Sequence, residues 1–133
     1  MITAYRVWDG EQMHYWDDEG LSLVITGGGW SLYRHTNLSL HPIRLTDSTQ
    51  KNAVLMWGTG LKDKHYRAIY HKDFILDHNT DTKFVVKYDN KQAGFYLDIG
   101  IGNGSGAFMV GDLEVIGDVY QNPELLEGVG CQK

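Results

Sequence analysis

Hydrophobic and polar positions alternate along this chain in short bursts, each closed by glycine or acidic residues. Residues 4–8 and 12–16 alternate on either side of Asp9-Gly10-Glu11. Asp and Gly both tolerate positive φ, so this predicts a hairpin with Tyr5 and Val7 on the core face. Asp17-Asp18-Glu19-Gly20 reads as an acidic turn, residues 21–25 as a strand, and Gly27-Gly28-Gly29 as the break before the strand Trp30-Ser31-Leu32-Tyr33. Together they predict a β-meander. From 38 to 52 the pattern is poor, because Pro42 removes a ladder donor and residues 47–52 are polar. An edge strand, a loop and the boundary between two halves are expected there, dividing the chain into 1–52 and 53–133.

The second half is organised around residues 55–76, LMWGTGLKDKHYRAIYHKDFIL. The apolar run Leu55-Met56-Trp57 is expected to stop at Gly58-Thr59-Gly60, with Lys62-Asp63-Lys64 as the charged tip of a solvated loop. Ala68-Ile69-Tyr70 returns as a strand, and Phe74-Ile75-Leu76 starts another after the polar step His71-Lys72-Asp73. In residues 83–88, Phe84, Val86 and Tyr88 share one face and Lys83 and Lys87 the other, as a half-buried strand requires. Residues 89–91 read as a turn, and 95–99 and 113–120 as further strands. Asn122 as a cap, Pro123 in the first turn, Glu124 near its positive end and Gly128 at its close predict one short helical turn, pinned by Leu125 or Leu126. The expected fold is all-β: an N-terminal meander packed on a small C-terminal SH3-like barrel.

Composition agrees with this picture. The 133 residues include 16 Gly, 2 Pro, 4 Trp and 8 Tyr, which suits short strands and tight turns. The start, MITAYRVWDG, lacks the features of a secretion signal, and the longest apolar run, 53–57, is too short to span a bilayer. The lone Cys131 excludes an internal disulfide. These features predict a protein of the cytoplasm with no membrane association.

Candidate chemistry is sparse. Gly102, Gly104 and Ala107 satisfy a dinucleotide-type spacing, but Phe108-Met109-Val110-Gly111-Asp112 is no helix start to meet a pyrophosphate, so an inter-strand loop is expected. Asp77-His78-Asn79-Thr80-Asp81 opens like a calcium loop, yet Thr82 stands where Gly is needed and Tyr88 where a bidentate Glu is needed; a hairpin turn fits better. His65, His71 and His78, near Asp73 and Asp77, follow no ligand spacing, so no metal and no cofactor are expected. Acids beside turns read as surface residues, and Cys131 in a Gly-rich tail is poorly placed as a nucleophile. No catalytic residues are assigned, and the chain is not expected to be an enzyme.

Charge adds one hint. The net charge is −5, but residues 61–91 hold seven Lys/Arg against five Asp, a local +2 that leaves −7 for the rest. Lys62, Lys64, Arg67, Lys72, Lys83 and Lys87 lie among Tyr66, Tyr70 and Tyr88, so a nucleic-acid-binding small barrel is the runner-up reading. The acidic balance of the whole chain favours the plainer reading, in which the lysines cover strand faces and the tyrosines belong to the core.

The run LMWGTGLKDKHYRAIYHKDFI resembles the signature of the YopX-like proteins of bacteriophages and prophages, in which Thr-Gly-Leu-Lys-Asp-Lys leads through Ile-Tyr into the next strand. Tyr5-Arg6-Val7-Trp8-Asp9 and the block 114–126, EVIGDVYQNPELL, resemble that family in the same order. Two positions depart from it. His65-Tyr66 replaces the usual Asn-Gly, and Lys72-Asp73 the usual Gly-Asp. Because Tyr at positive φ is strained, the loop turn is expected here to be longer or of another type. The resemblance implies a phage origin and a β fold without a mechanism. The resulting expectation is a non-enzymatic accessory protein in the cytoplasm of the bacterial host. It would bind itself and a phage or host protein, with contacts at Trp57, Lys62, Lys64, His65, Tyr66 and Arg67.

Overall fold

The computed structural model describes residues 4–38, 40–79, 81–91, 94–98, 112–128 and 130–131. The chain is nearly all β and divides into two units, Met1–Met56 and Trp57–Lys133.

In the first unit, β1 (Tyr5–Trp8) and β2 (Met13–Tyr15) pair antiparallel, with Val7 opposite His14. The turn between them is the predicted Asp-Gly turn. Asp9 Oδ1 accepts the N–H groups of Glu11 and Gln12, Gly10 takes φ 107°, and Asp9 Oδ2 meets His14 Nε2 at 2.8 Å. Val7 is fully buried and Tyr5 half-buried, but Arg6 is buried as well, so β1 is covered on both faces. The meander follows as β3 (Leu21–Thr26), β4 (Gly29–Arg34) and β5 (Ile43–Asp47), an antiparallel sheet in that order. Gly20, at φ 75°, lets the acidic turn approach His35: a Cβ there would lie 2.3 Å from the His35 carbonyl oxygen.

Strand β6 (Val54–Lys62) carries the chain from the first unit into the second. Here the structure corrects the sequence reading, which ended this strand at Gly58. The strand continues through both glycines to Lys62, with a register shift against β7 (Ala68–Tyr70) between Gly58 and Lys62. Gly60, at φ 87°, supplies the backbone angle that such an irregularity needs.

The main sheet of the second unit runs in the order β10-β9-β8-β11, from β8 (Asp73–Asp77), β9 (Thr82–Asp89), β10 (Gly94–Asp98) and β11 (Leu113–Asp118), and it curls into half a barrel. A short β12 (Gly130–Cys131) adds to β9. Pairings Ile75 with Phe84 and Val115, and Val86 with Leu97, place one apolar row across the strands. Ile75, Phe84, Val86 and Leu97 of this row form the core with Ile69 and Leu113, flanked by the half-buried Phe95 and Val115. Tyr88 stacks edge-on against Phe95 at 5.1 Å. The other face is not simply solvated, because Phe74 and Val85, paired there, are 0% and 4% exposed. β8 and β9 are therefore buried on both sides at their centre, although Lys83 and Lys87 share the face of Val85. The turn between β8 and β9 is the predicted hairpin, with Asp77 Oδ1 accepting the Asn79 N–H.

The expected short helical turn forms as a 3-10 turn, Pro123–Gly128, just before β12, with Leu125 half-buried. Asn122 does not cap it with its side chain. Its carbonyl accepts the Leu125 N–H, while its Oδ1 reaches back to the Asp118 N–H at 3.3 Å. The glycine-rich segment 100–107 and the Leu126 side chain lie outside the described residues, and no helix among those described is long and apolar enough to cross a membrane.

Candidate functional site

The charged tip between β6 and β7 is built around a carboxylate that faces inward. The Asp63 side chain is 0% exposed. Its Oδ1 accepts the N–H groups of His65 and Arg67, both at 2.9 Å, and its Oδ2 accepts the Val115 N–H at 3.0 Å. Its backbone N–H donates to the Arg67 carbonyl, and the Tyr66 N–H donates to the Asp63 carbonyl. Lys64 N–H donates to the Leu113 carbonyl, so Asp63 and Lys64 together lie along β11 and bond its backbone much as a neighbouring strand would. Burial pushes the Asp63 carboxyl up. The Val115, Arg67 and His65 N–H groups and the Arg67 guanidinium outweigh that and hold it below the usual carboxylate range.

Around this buried anchor, Leu61, Lys62, Lys64, His65, Tyr66 and Arg67 are all exposed. Tyr66 is 84% and Leu61 45% exposed. Trp57, also named from the sequence, is 38% exposed on β6, and its carbonyl accepts the His71 N–H. The loop thus holds its backbone tightly and offers its side chains outward.

Beside it, Glu114 on β11 gathers three groups. His78 Nε2 lies 2.7 Å from Oε1, while His65 Nε2 and Arg67 Nη2 lie 3.5 and 3.8 Å from Oε2. The His78 hydrogen bond, with the His65, His78 and Lys64 charges, draws the Glu114 carboxyl below its ordinary value. Of the three histidines considered together in the sequence, the fold joins two at this carboxylate. His71 faces the Phe95 ring instead, at 6.1 Å. Among the described residues no group of three His, Cys, Asp or Glu side chains is placed to hold a metal ion.

Sequence reasoning missed both carboxylates. It also read acids near turns as surface residues, whereas Asp47, Asp63, Asp73 and Asp118 are buried. Each of the four accepts backbone N–H groups: Asp73 Oδ2 takes that of Tyr70, and Asp118 Oδ1 those of Tyr120 and Gln121. The basic-aromatic grouping separates in three dimensions. Tyr70 is buried, and Tyr88 lies on the face of β9 opposite Lys83 and Lys87, leaving Tyr66 as the tyrosine beside the loop cations.

The model of the YopX protein family matches residues 4–127. This chain belongs to the YopX family. The SPbeta prophage-derived uncharacterized protein YopX of Bacillus subtilis (strain 168) is 46% identical over 138 residues, covering 97% of this chain and 99% of that protein. The crystal structure of yopX from Bacillus subtilis superposes with a TM-score of 0.70 at 42% identity, covering 94% of this chain and 98% of that one. Protein EF1440 from Enterococcus faecalis shares the fold at a TM-score of 0.58 and 20% identity, over 95% of this chain and 99% of that one.

Membership in the YopX family makes the two departures informative. Tyr66, where the resemblance places Gly, adopts φ 64°, and Lys72, where the resemblance places Gly before Asp, adopts φ 74°. Tyr66 thus takes the positive φ that the sequence reading expected the loop to avoid. The bonds to Asp63 hold the glycine-type geometry, and the tyrosine occupies it under strain.

Proposed function

We propose that this YopX-family chain is a non-enzymatic accessory protein of a phage or prophage, working in the cytoplasm of its bacterial host. It acts by binding a phage or host protein through the loop 60–67, and by self-association. The observation that carries this reading is the loop's construction. A fully buried Asp63 fixes the backbone while Lys62, Lys64, His65, Tyr66 and Arg67 face solvent, so little conformational entropy is lost when a partner docks. The prophage origin of the Bacillus subtilis relative supports the phage context. An SH3-like closure of the second unit fits the reading, since such small barrels commonly present binding residues on loops.

The test is affinity capture from cells carrying the phage, comparing the wild type with Lys62→Ala/Lys64→Ala/Tyr66→Ala, which leaves Asp63 in place. A protein recovered by the wild type, lost by the variant and resistant to nuclease supports the loop. Recovery that nuclease abolishes favours nucleic acid instead. Identical recovery by both chains removes the loop from the function.

A further inference from the structure

We infer that self-association, proposed above, runs through the outer edge of β3, which pairs antiparallel with β3 of a second copy about a two-fold axis. This inference rests on the self-association half of that reading. A sheet edge exposes backbone donors and acceptors, and proteins blunt it with charges, proline, bulges, short strands or a covering loop. The edges of this chain differ sharply in that respect. β11 is covered by Asp63 and Lys64. β5 follows Pro42, carries Arg44 and Asp47, and is bulged against β4 at Leu32/Tyr33. β2 and β7 are three residues long, and β10 starts at Gly94 and ends at Asp98.

Among the described residues β3 pairs on one side only, with β4, and it carries no charge, proline or bulge. Its sequence, LSLVIT, lacks charge, proline and glycine, and it pairs with β4 without interruption from Leu21↔Arg34 to Thr26↔Gly29. Val24 and Ile25 are 45% and 60% exposed. An uncharged strand meets itself without opposing like charges.

The flanking charges select the direction. Before β3 stands the acidic turn, with Asp17 and Glu19 exposed; after it stand Gly27 and Gly28, whose Cβ positions have nothing within 4 Å. Antiparallel pairing sets each acidic turn beside the partner's open glycine turn, whereas parallel pairing sets the two acidic turns together. Side-chain alternation selects the register as well. Leu23 and Ile25 share a sheet face, so a two-fold centred on Val24 places Leu23 opposite Ile25 and covers the more exposed of the two.

Sedimentation velocity from about 1 to about 100 µM, with hydrogen exchange of the 21–26 segment on the same samples, tests this. A two-chain species is expected, with exchange in 21–26 slowing as concentration rises. Val24→Lys, which would oppose two lysines at the axis, is expected to weaken the dimer about tenfold or more without lowering the melting temperature of the monomer. A dimer in which 21–26 stays unprotected, or which Val24→Lys leaves intact, overturns the β3 edge while self-association stands. A single chain throughout, with concentration-independent exchange, overturns both. If the variant fails to fold, wild-type exchange alone decides.

Discussion

Asp63 and Val115 lie 52 residues apart in sequence, yet the Asp63 carboxylate accepts the Val115 N–H at 3.0 Å. That bond ties the signature loop to β11 and turns a charged tip into a rigid feature. Removing the carboxylate leaves the N–H groups of His65, Arg67 and Val115 without their acceptor. Asp63→Ala is expected to destabilise the chain by about 3 kcal/mol in urea unfolding. Trypsin should also cut faster at Lys62, Lys64 or Arg67. Unchanged stability would mean that the loop is held by something else.

Tyr66 and Lys72 each occupy a left-handed conformation, at φ 64° and 74°. Replacing either with Gly relieves backbone strain of about 1 to 2 kcal/mol, offset in part by the greater freedom of Gly in the unfolded chain. Tyr66→Gly and Lys72→Gly should each raise stability by about 0.5 to 1 kcal/mol, read as a rise of roughly 2 to 4 °C in melting temperature. The backbone bonds of Lys72 to Val86 and Val119 are retained in its variant. A fall in melting temperature for Tyr66→Gly would show that the tyrosine ring makes a stabilising contact larger than the strain.

Gly117 is required by its neighbour. A Cβ there would lie 2.5 Å from Asn122 Oδ1, the atom that accepts the Asp118 N–H. Gly117→Ala is expected to cost about 2 kcal/mol, and combining it with Asn122→Ala should recover about half of that. A double-mutant cycle measures the coupling, and strict additivity would rule out the clash.

Acid should unfold this protein through a small set of carboxylates. Burial raises Asp63 and Asp9, but it is outweighed at Asp63 by backbone N–H groups and then Arg67, and at Asp9 by the His14 hydrogen bond and then backbone N–H groups; the Thr49 hydroxyl bond lowers Asp47 and the His78 bond lowers Glu114. Each native value lies below the unfolded one, so between the two the unfolded chain binds more protons and stability rises with pH. The contribution is complete above roughly pH 4.5 and is lost as acidification passes through the depressed native values. Urea midpoints measured at successive pH values should fall below about pH 4.5 in the wild type and fall less steeply in Asp63→Asn. Equal slopes would contradict the assignment to Asp63.

The fold was legible where the cause is local. Alternation in 21–25, 30–33 and 83–88, the Asp9-Gly10 hairpin and the Pro123 turn all depend on neighbours in the chain, and each appears as an element. The candidate loop was half legible. Lys62, Lys64, His65, Tyr66 and Arg67 stood out as a charged loop between two strands, whereas the inward turn of Asp63 and the gathering at Glu114 did not. The family block beginning at Glu114 was the one available signal for the second of these.

The order of residues alone determined that the chain forms strands, and where most of its turns fall, because side-chain period and turn chemistry act over a few positions. Tertiary structure decided which carboxylates turn inward, that β6 runs on through its glycines, and that Tyr66 takes a glycine's conformation. Those outcomes depend on backbone groups brought from distant segments, as when Val115 supplies the hydrogen bond that makes burying Asp63 favourable.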